Sequence, residues 1–168
     1  MKTQKMLIGF LFCFILGSVS AQEKELKADT INGTINNATA TIAELLNSKT
    51  FEFIANTVFP SGGTPKNLVG SGYFVTFSPE IIISNLPFYG RGYTGMTMGR
   101  DKGMRFEGAP KDFNISDGND YEVKVTVNGE SDTYAVSMSV SVSGYATLSI
   151  SSNDRGPITF QGEVVAVQ

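Results

Sequence analysis

Few residues in this sequence can carry chemistry. The 168 residues include no His, no Trp and a single Cys, Cys13. Without imidazole there is no Ser-His or Cys-His pair to activate a nucleophile. Without imidazole or a second thiol the usual zinc ligand sets are also missing. What remains for acid–base work is a scatter of carboxylates, of which Glu107, Asp112, Asp154 and Glu163 are the candidates. A hydrolase built on them needs two facing each other across a cleft at roughly 5–10 Å, and their sequence spacing supplies no such pair. The acidic stretch Asp112, Asp117, Asp120 and Glu122 fails as an EF-hand calcium loop. Counted from Asp112, its sixth and twelfth positions hold Asp117 and Val123, where Gly and Glu are required. It reads instead as a strand running into the turn Asp117-Gly118-Asn119-Asp120. We therefore expect no catalytic residues, no metal site and no cofactor: a protein that is not an enzyme.

Binding has a better candidate. In Leu86-Pro87-Phe88-Tyr89-Gly90-Arg91-Gly92-Tyr93 three aromatic residues, Phe88, Tyr89 and Tyr93, flank Arg91 in the sequence. Such a set suits an aromatic, sugar or carboxylate-bearing ligand, with Arg91 as a fork of donors. The same residues also have a purely structural reading, in which Pro87 ends a strand, Gly90 and Gly92 permit close approach or positive backbone angles, and Arg91 stacks on Tyr. A second surface is the nearly uncharged row of Ala135, Ser137, Ser139 and Ser141, continued by Thr147, Ser149 and Ser151. It reads as solvated sheet or as a docking face.

The elements that must position these groups follow from periodicity. Ile35, Ala38, Ile42, Leu45 and Leu46 recur at intervals of three and four, which predicts one helix ending near Ser48; Thr41 with Glu44 three residues on marks an alternative, later start. After Lys49 the period becomes two. Phe51, Phe53 and Ala55 alternate with Glu52 and Ile54, the loop Pro60 to Pro65 follows, and Tyr73 to Ser78 with Ile81 to Asn85 reads as a hairpin about Pro79-Glu80. Leu86 to Gly103 has no clean period. Short alternating pieces at Met104 to Glu107 and Phe113 to Ser116 precede three longer strands, Tyr121 to Asn128, Tyr134 to Val142 and Tyr145 to Ser151. Ile158, Phe160, Val164 and Ala166 make the last. Eight or nine short strands joined by tight turns, with no helices between them, imply an antiparallel meander closing into a small barrel, with the helix plugging an end or covering an open edge.

The N-terminus carries an address. Lys2 and Lys5 precede an apolar run from Met6 to Leu16, and Val19 and Ala21 stand at the small-residue positions that a signal peptidase reads. We expect export with cleavage after Ala21, leaving a polar arm over residues 22–33 and one domain over 34–168. The run is too short for the roughly 20 residues of a membrane-spanning helix, and Cys13 lies mid-run rather than at the cleavage point, so neither a membrane span nor a lipid anchor is expected. The formal charge is −3, and the two signal lysines leave with the signal. An acidic domain lacks the basic stripe that nucleic-acid binding requires.

The segment Leu86 to Tyr93 resembles the LPYFGRAY-like stretch of a family of exported bacterial proteins, the domain of unknown function 4251 family. Lys49-Thr50-Phe51-Glu52-Phe53, Asn67-Leu68 and Asn153-Asp154-Arg155 followed by Ile158, Phe160 and Gly162 extend the resemblance over about Ile42 to Val164. Phe88-Tyr89 stands where the family more often has Tyr-Phe, and Gly92 where Ala is common. The resemblance implies a secreted or envelope location and a lipocalin-like barrel, and no activity. The expectation is thus a mainly β protein, an antiparallel meander forming a small lipocalin-like β-barrel with one N-terminal α-helix. Its function would be to bind a small ligand or an envelope component through Phe88, Tyr89, Arg91 and Tyr93. An envelope protein–protein interaction module and a carboxylate-dependent hydrolase are the alternatives.

Overall fold

The computed structural model describes residues 42–90, 92 and 103–167. The expected signal, the polar arm, the first half of the expected helix with Ile35 and Ala38, and both Arg91 and Tyr93 lie outside the described residues.

Residues 42–47 form a helix, α1, and both expected starts, near Ile35 and at Thr41, lie outside the described residues. Leu46 is fully buried, and Ile42 and Leu45 pack against the core. The helix stops at Ser48, whose hydroxyl donates to the Leu45 carbonyl at 2.7 Å. Lys49 then takes a positive φ of 56°, a conformation usually left to Gly at this position. Its side chain is anchored to compensate: Nζ donates to the Phe113 carbonyl at 2.8 Å and lies 5.0 Å over the Phe113 ring.

Nine strands follow: β1 (Phe51–Phe59), β2 (Lys66–Asn67), β3 (Phe74–Phe77), β4 (Ile82–Leu86), β5 (Met104–Ser116), β6 (Tyr121–Asn128), β7 (Thr133–Val140), β8 (Tyr145–Ser152) and β9 (Ile158–Val165). From β3 to β9 each strand pairs antiparallel with the next, and β1 pairs with both β3 and β9. Eight strands therefore close into an antiparallel barrel, and β2 merely extends the β1 edge beyond β3 through Thr57 and Val58. Closure also settles the role of the helix: the β1 and β9 edges satisfy each other, so α1 packs on an end. Ile42 approaches Gly144 in the β7–β8 turn, where a side chain would begin only 3.1 Å from its Cδ1.

The alternation read from sequence sorts the side chains as expected. Phe51, Phe53, Phe77, Leu148, Ile150 and Phe160 are buried, as are Val123, Val125 and Val127. Each large apolar side chain removed from water contributes roughly 1.5–3 kcal/mol, and the rings of Phe51 and Phe77 stack at 4.7 Å. These inward positions fill the barrel with side chains. One cross-strand row is narrow: Ala55, Gly162 and Ala146 are register neighbours on β1, β9 and β8. A side chain at Gly162 would collide with the Ile54 carbonyl oxygen.

Four sequence expectations need correction. The strand expected over Tyr134 to Val142 ends at Val140, and Val142 is exposed rather than inward. The pieces at Met104 to Glu107 and Phe113 to Ser116 are one strand, β5, broken in pattern by a bulge between Lys111 and Asn114 where Asp112 takes a φ of 55°. The segment after Pro65 contributes a strand, β2, whose two residues are both exposed and so carry no apolar signal. Ala166 lies beyond β9 and is exposed rather than inward.

Candidate functional site

A departure from regular pairing makes a cleft. β4 pairs with Met104 to Gly108 on one side of β5, whereas β6 reaches only as far as Asn128, opposite Ala109. Gly108 marks the handover, because a side chain there would run into the Asn128 carbonyl. The first part of β5 thus has no strand on its second side, and the wall opens into a cleft of about 530 Å³ between β5 and the β6–β7 turn. The rings of Phe106 and Tyr134 stack across it, with centroids 3.9 Å apart and planes 16° from parallel. Both are buried, as is Ser84, whose hydroxyl donates to the Met104 carbonyl at 2.7 Å. Around this apolar floor stand Arg105, Glu107, Glu130 and Arg155, charges of both signs.

The phenol of Tyr134 lies in a buried setting among charges. Burial holds its pKa above the ordinary value of 10.0; the Arg155 guanidinium opposes the shift and the Asp132 and Asp154 carboxylates add to it. Tyr134 therefore presents a hydroxyl that both donates and accepts at physiological pH.

Two turns hold the cleft's edge. Asp132 Oδ1 accepts from its neighbour's amide, Thr133 N–H, at 2.8 Å and from Asn153 N–H at 3.2 Å, which ties the β6–β7 turn to the β8–β9 turn. The second turn is closed from both sides, Ser152 N–H donating to the Arg155 carbonyl at 3.0 Å and Arg155 N–H to Ser152 Oγ at 3.1 Å. Arg155 is thereby fixed with its guanidinium 5.7 Å over the Phe88 ring, and Gly92 forms a β-bridge with it.

The candidate segment divides accordingly. Phe88 is buried and folded back over Gly90, where any side chain would meet its ring. Tyr89 is 40% exposed, with the Lys66 ammonium 5.1 Å over its ring. Arg91 and Tyr93 lie outside the described residues. Among the described residues the cations placed on these aromatics are Lys66 and Arg155, neither of which is a candidate on sequence grounds. Arg155 stands in a run, Asn153-Asp154-Arg155, that reads as an ordinary turn; its length within an otherwise small polar turn is the only sequence signal that it reaches inward.

Of the four candidate carboxylates, Glu107 lines the cleft and Asp112 a groove on the outer face, while Asp154 lies in the β8–β9 turn and Glu163 on β9. They do not assemble into one constellation. Among the described residues no group of three or more Asp, Glu, His or Cys is placed to hold a metal ion, and no helix is long and apolar enough to cross a membrane. The Ser-rich face lies outward as its alternation implies: Ala135, Ser137 and Ser139 are exposed while Tyr134, Val136, Met138 and Val140 are buried.

Comparison with known proteins agrees with this architecture. The family model described as Domain of unknown function (DUF4251) matches residues 34–164. The crystal structure of a DUF4251 family protein from Bacteroides eggerthii DSM 20697 superposes with a TM-score of 0.59 at 16% sequence identity, covering 77% of this chain and 87% of that one. No curated protein matches the sequence. The chain belongs to the DUF4251 family.

Proposed function

We propose that this DUF4251 barrel is a non-enzymatic, exported binding domain that holds a small molecule at the open end of the barrel. The observation that carries the reading is the cleft of about 530 Å³ floored by the stacked Phe106 and Tyr134 rings beside Arg155. An apolar floor with a few convergent polar groups is the usual form of a small-ligand site. The interior positions are occupied by Phe51, Phe53, Phe77 and Phe160, which favours a ligand held at the mouth over one enclosed in the barrel. The floor suits a flat apolar moiety, and the Tyr134 hydroxyl with the Arg155 guanidinium suits a hydrogen-bond acceptor on it. Because Glu107 and Glu130 balance Arg105 and Arg155 around the rim, a polar neutral or zwitterionic molecule fits better than a polyanion. Export rests on Lys2, Lys5, the apolar run to Leu16 and Ala21, and N-terminal sequencing of the mature protein checks the cleavage site.

The test is native mass spectrometry of the protein purified from the compartment to which it is exported. A retained small molecule is expected on the wild type and absent from Arg155→Gln and Tyr134→Phe, with circular dichroism unchanged. Wild-type protein that carries nothing, and that no member of a panel of planar amphipathic compounds stabilises against heat, overturns the reading.

A further inference from the structure

We propose a second binding site, on the outer surface of β1, β9, β8 and β7, for a neutral oligosaccharide. The site begins with register. Thr57 pairs with Gln161, Gln161 with Thr147, and Thr147 with Ser139. Four polar side chains thus form one row across four strands. With strands about 4.8 Å apart the row is about 14 Å long, and its step is close to the repeat of a chain of pyranose rings.

The row is recessed. It lies in a groove of about 480 Å³, with Asn56 at one end and Tyr145 alongside. Asn56 is the extra residue where the β1–β9 register shifts between Ala55 and Thr57, and such a bulge re-aims a side chain that regular pairing would align with its neighbours. Tyr145 is 70% exposed, so its ring is available as a platform for the C–H face of a sugar, which its electron-rich face attracts. The amides of Asn56 and Gln161 and the hydroxyls of Thr57, Thr147 and Ser139 each supply donors and acceptors together. That matches sugar hydroxyls, which also do both.

Other occupants fit less well. Carboxylates border the groove: Asp120 lines it, Glu163 stands opposite Tyr145, and Glu122 stands opposite Ser139. The nearby Lys124 ammonium is held by Glu122 at 2.7 Å. An anionic chain would be repelled. A partner strand has no edge to join, because β1 and β9 pair with each other and β8 and β7 are paired on both sides. Recognition here falls to side chains alone.

The experiment is isothermal titration of the full exported chain with neutral hexasaccharides of α- and β-linked glucose, of xylose, of mannose and of N-acetylglucosamine. Saturable binding to at least one of them is expected, weakened at least about tenfold in Tyr145→Ala and in Gln161→Ala, and unchanged in Arg155→Gln. The exposed position of Tyr145 leaves its variant folded, which circular dichroism verifies, and Thr147→Val provides a variant of the same shape that loses only the hydroxyl. The proposal is overturned if none of the hexasaccharides binds, or if Tyr145→Ala binds as tightly as wild type. Binding lost in Arg155→Gln and kept in Tyr145→Ala also overturns it, and assigns the sugar to the cleft at the barrel end.

Discussion

The cleft at the barrel end and the polar row on the outer wall are both products of strand register, yet they stand in opposite relation to the fold. The floor of the cleft is part of the core: Phe106 and Tyr134 are 9% and 5% exposed and stack on each other. Removing either ring there would cost stability along with the proposed binding surface. The outer row rests on backbone already paired on both sides, and its side chains point to solvent. There a binding function is separable from folding. A small barrel without disulfides thus has one surface where evolution is constrained by packing and another where it is nearly free.

The sharpest way to break this contrast is a change that reaches both regions through the shared wall. Gly162→Val should unfold the barrel, costing more than about 4 kcal/mol, because the new side chain collides with the Ile54 carbonyl; loss of the cooperative urea transition is the expected readout. Phe106→Ala should cost about 3–5 kcal/mol by removing a buried stacked ring, measured by the urea midpoint. Tyr134→Phe keeps the ring and should change stability at neutral pH by no more than about 1 kcal/mol. It should show itself at high pH instead. Burial raises the Tyr134 pKa in the folded state, so the unfolded phenol ionises first, and stability declines as pH rises from about 10 through the folded value. Urea midpoints on either side of that value should fall less in Tyr134→Phe than in wild type. Tyr145→Ala, the mildest, should leave stability within about 0.5 kcal/mol; a larger loss would mean that the outer face is coupled to the core after all.

How much of this was legible in the sequence depends on how local the signal is. β6, β7 and β8 announce themselves because each buries one face and is joined to the next by a short turn, so alternation and turn residues agree. β5 reads as two pieces in the sequence, since Pro110 and the bulge at Asp112 interrupt the period without ending the strand. β2 has no signal in the sequence because Lys66 and Asn67 bury nothing. Phe88 and Tyr89 lie beside Arg155 and Lys66, but the cleft itself has no signal in the sequence. Ser84, Phe106, Tyr134 and Arg155 come from four separate stretches, and only the early end of β6 opens a gap between them. The polar row was visible as a Ser-rich face and not as a row, because alignment of Thr57, Gln161, Thr147 and Ser139 is a property of pairing.

The seam between β1 and β9 has a kinetic meaning. The first and last strands of the barrel meet there, so the pairing that closes the wall joins the most distant parts of the described chain. Loop-closure entropy makes such contacts the costliest to form first. During synthesis the exposed edge of β1 must wait for β9, Ile158–Val165, before it is satisfied. Until then the nascent sheet carries two unprotected edges, each a template for another chain. Truncation within β9 should therefore turn a folding protein into an aggregating one, even though it removes none of the cleft.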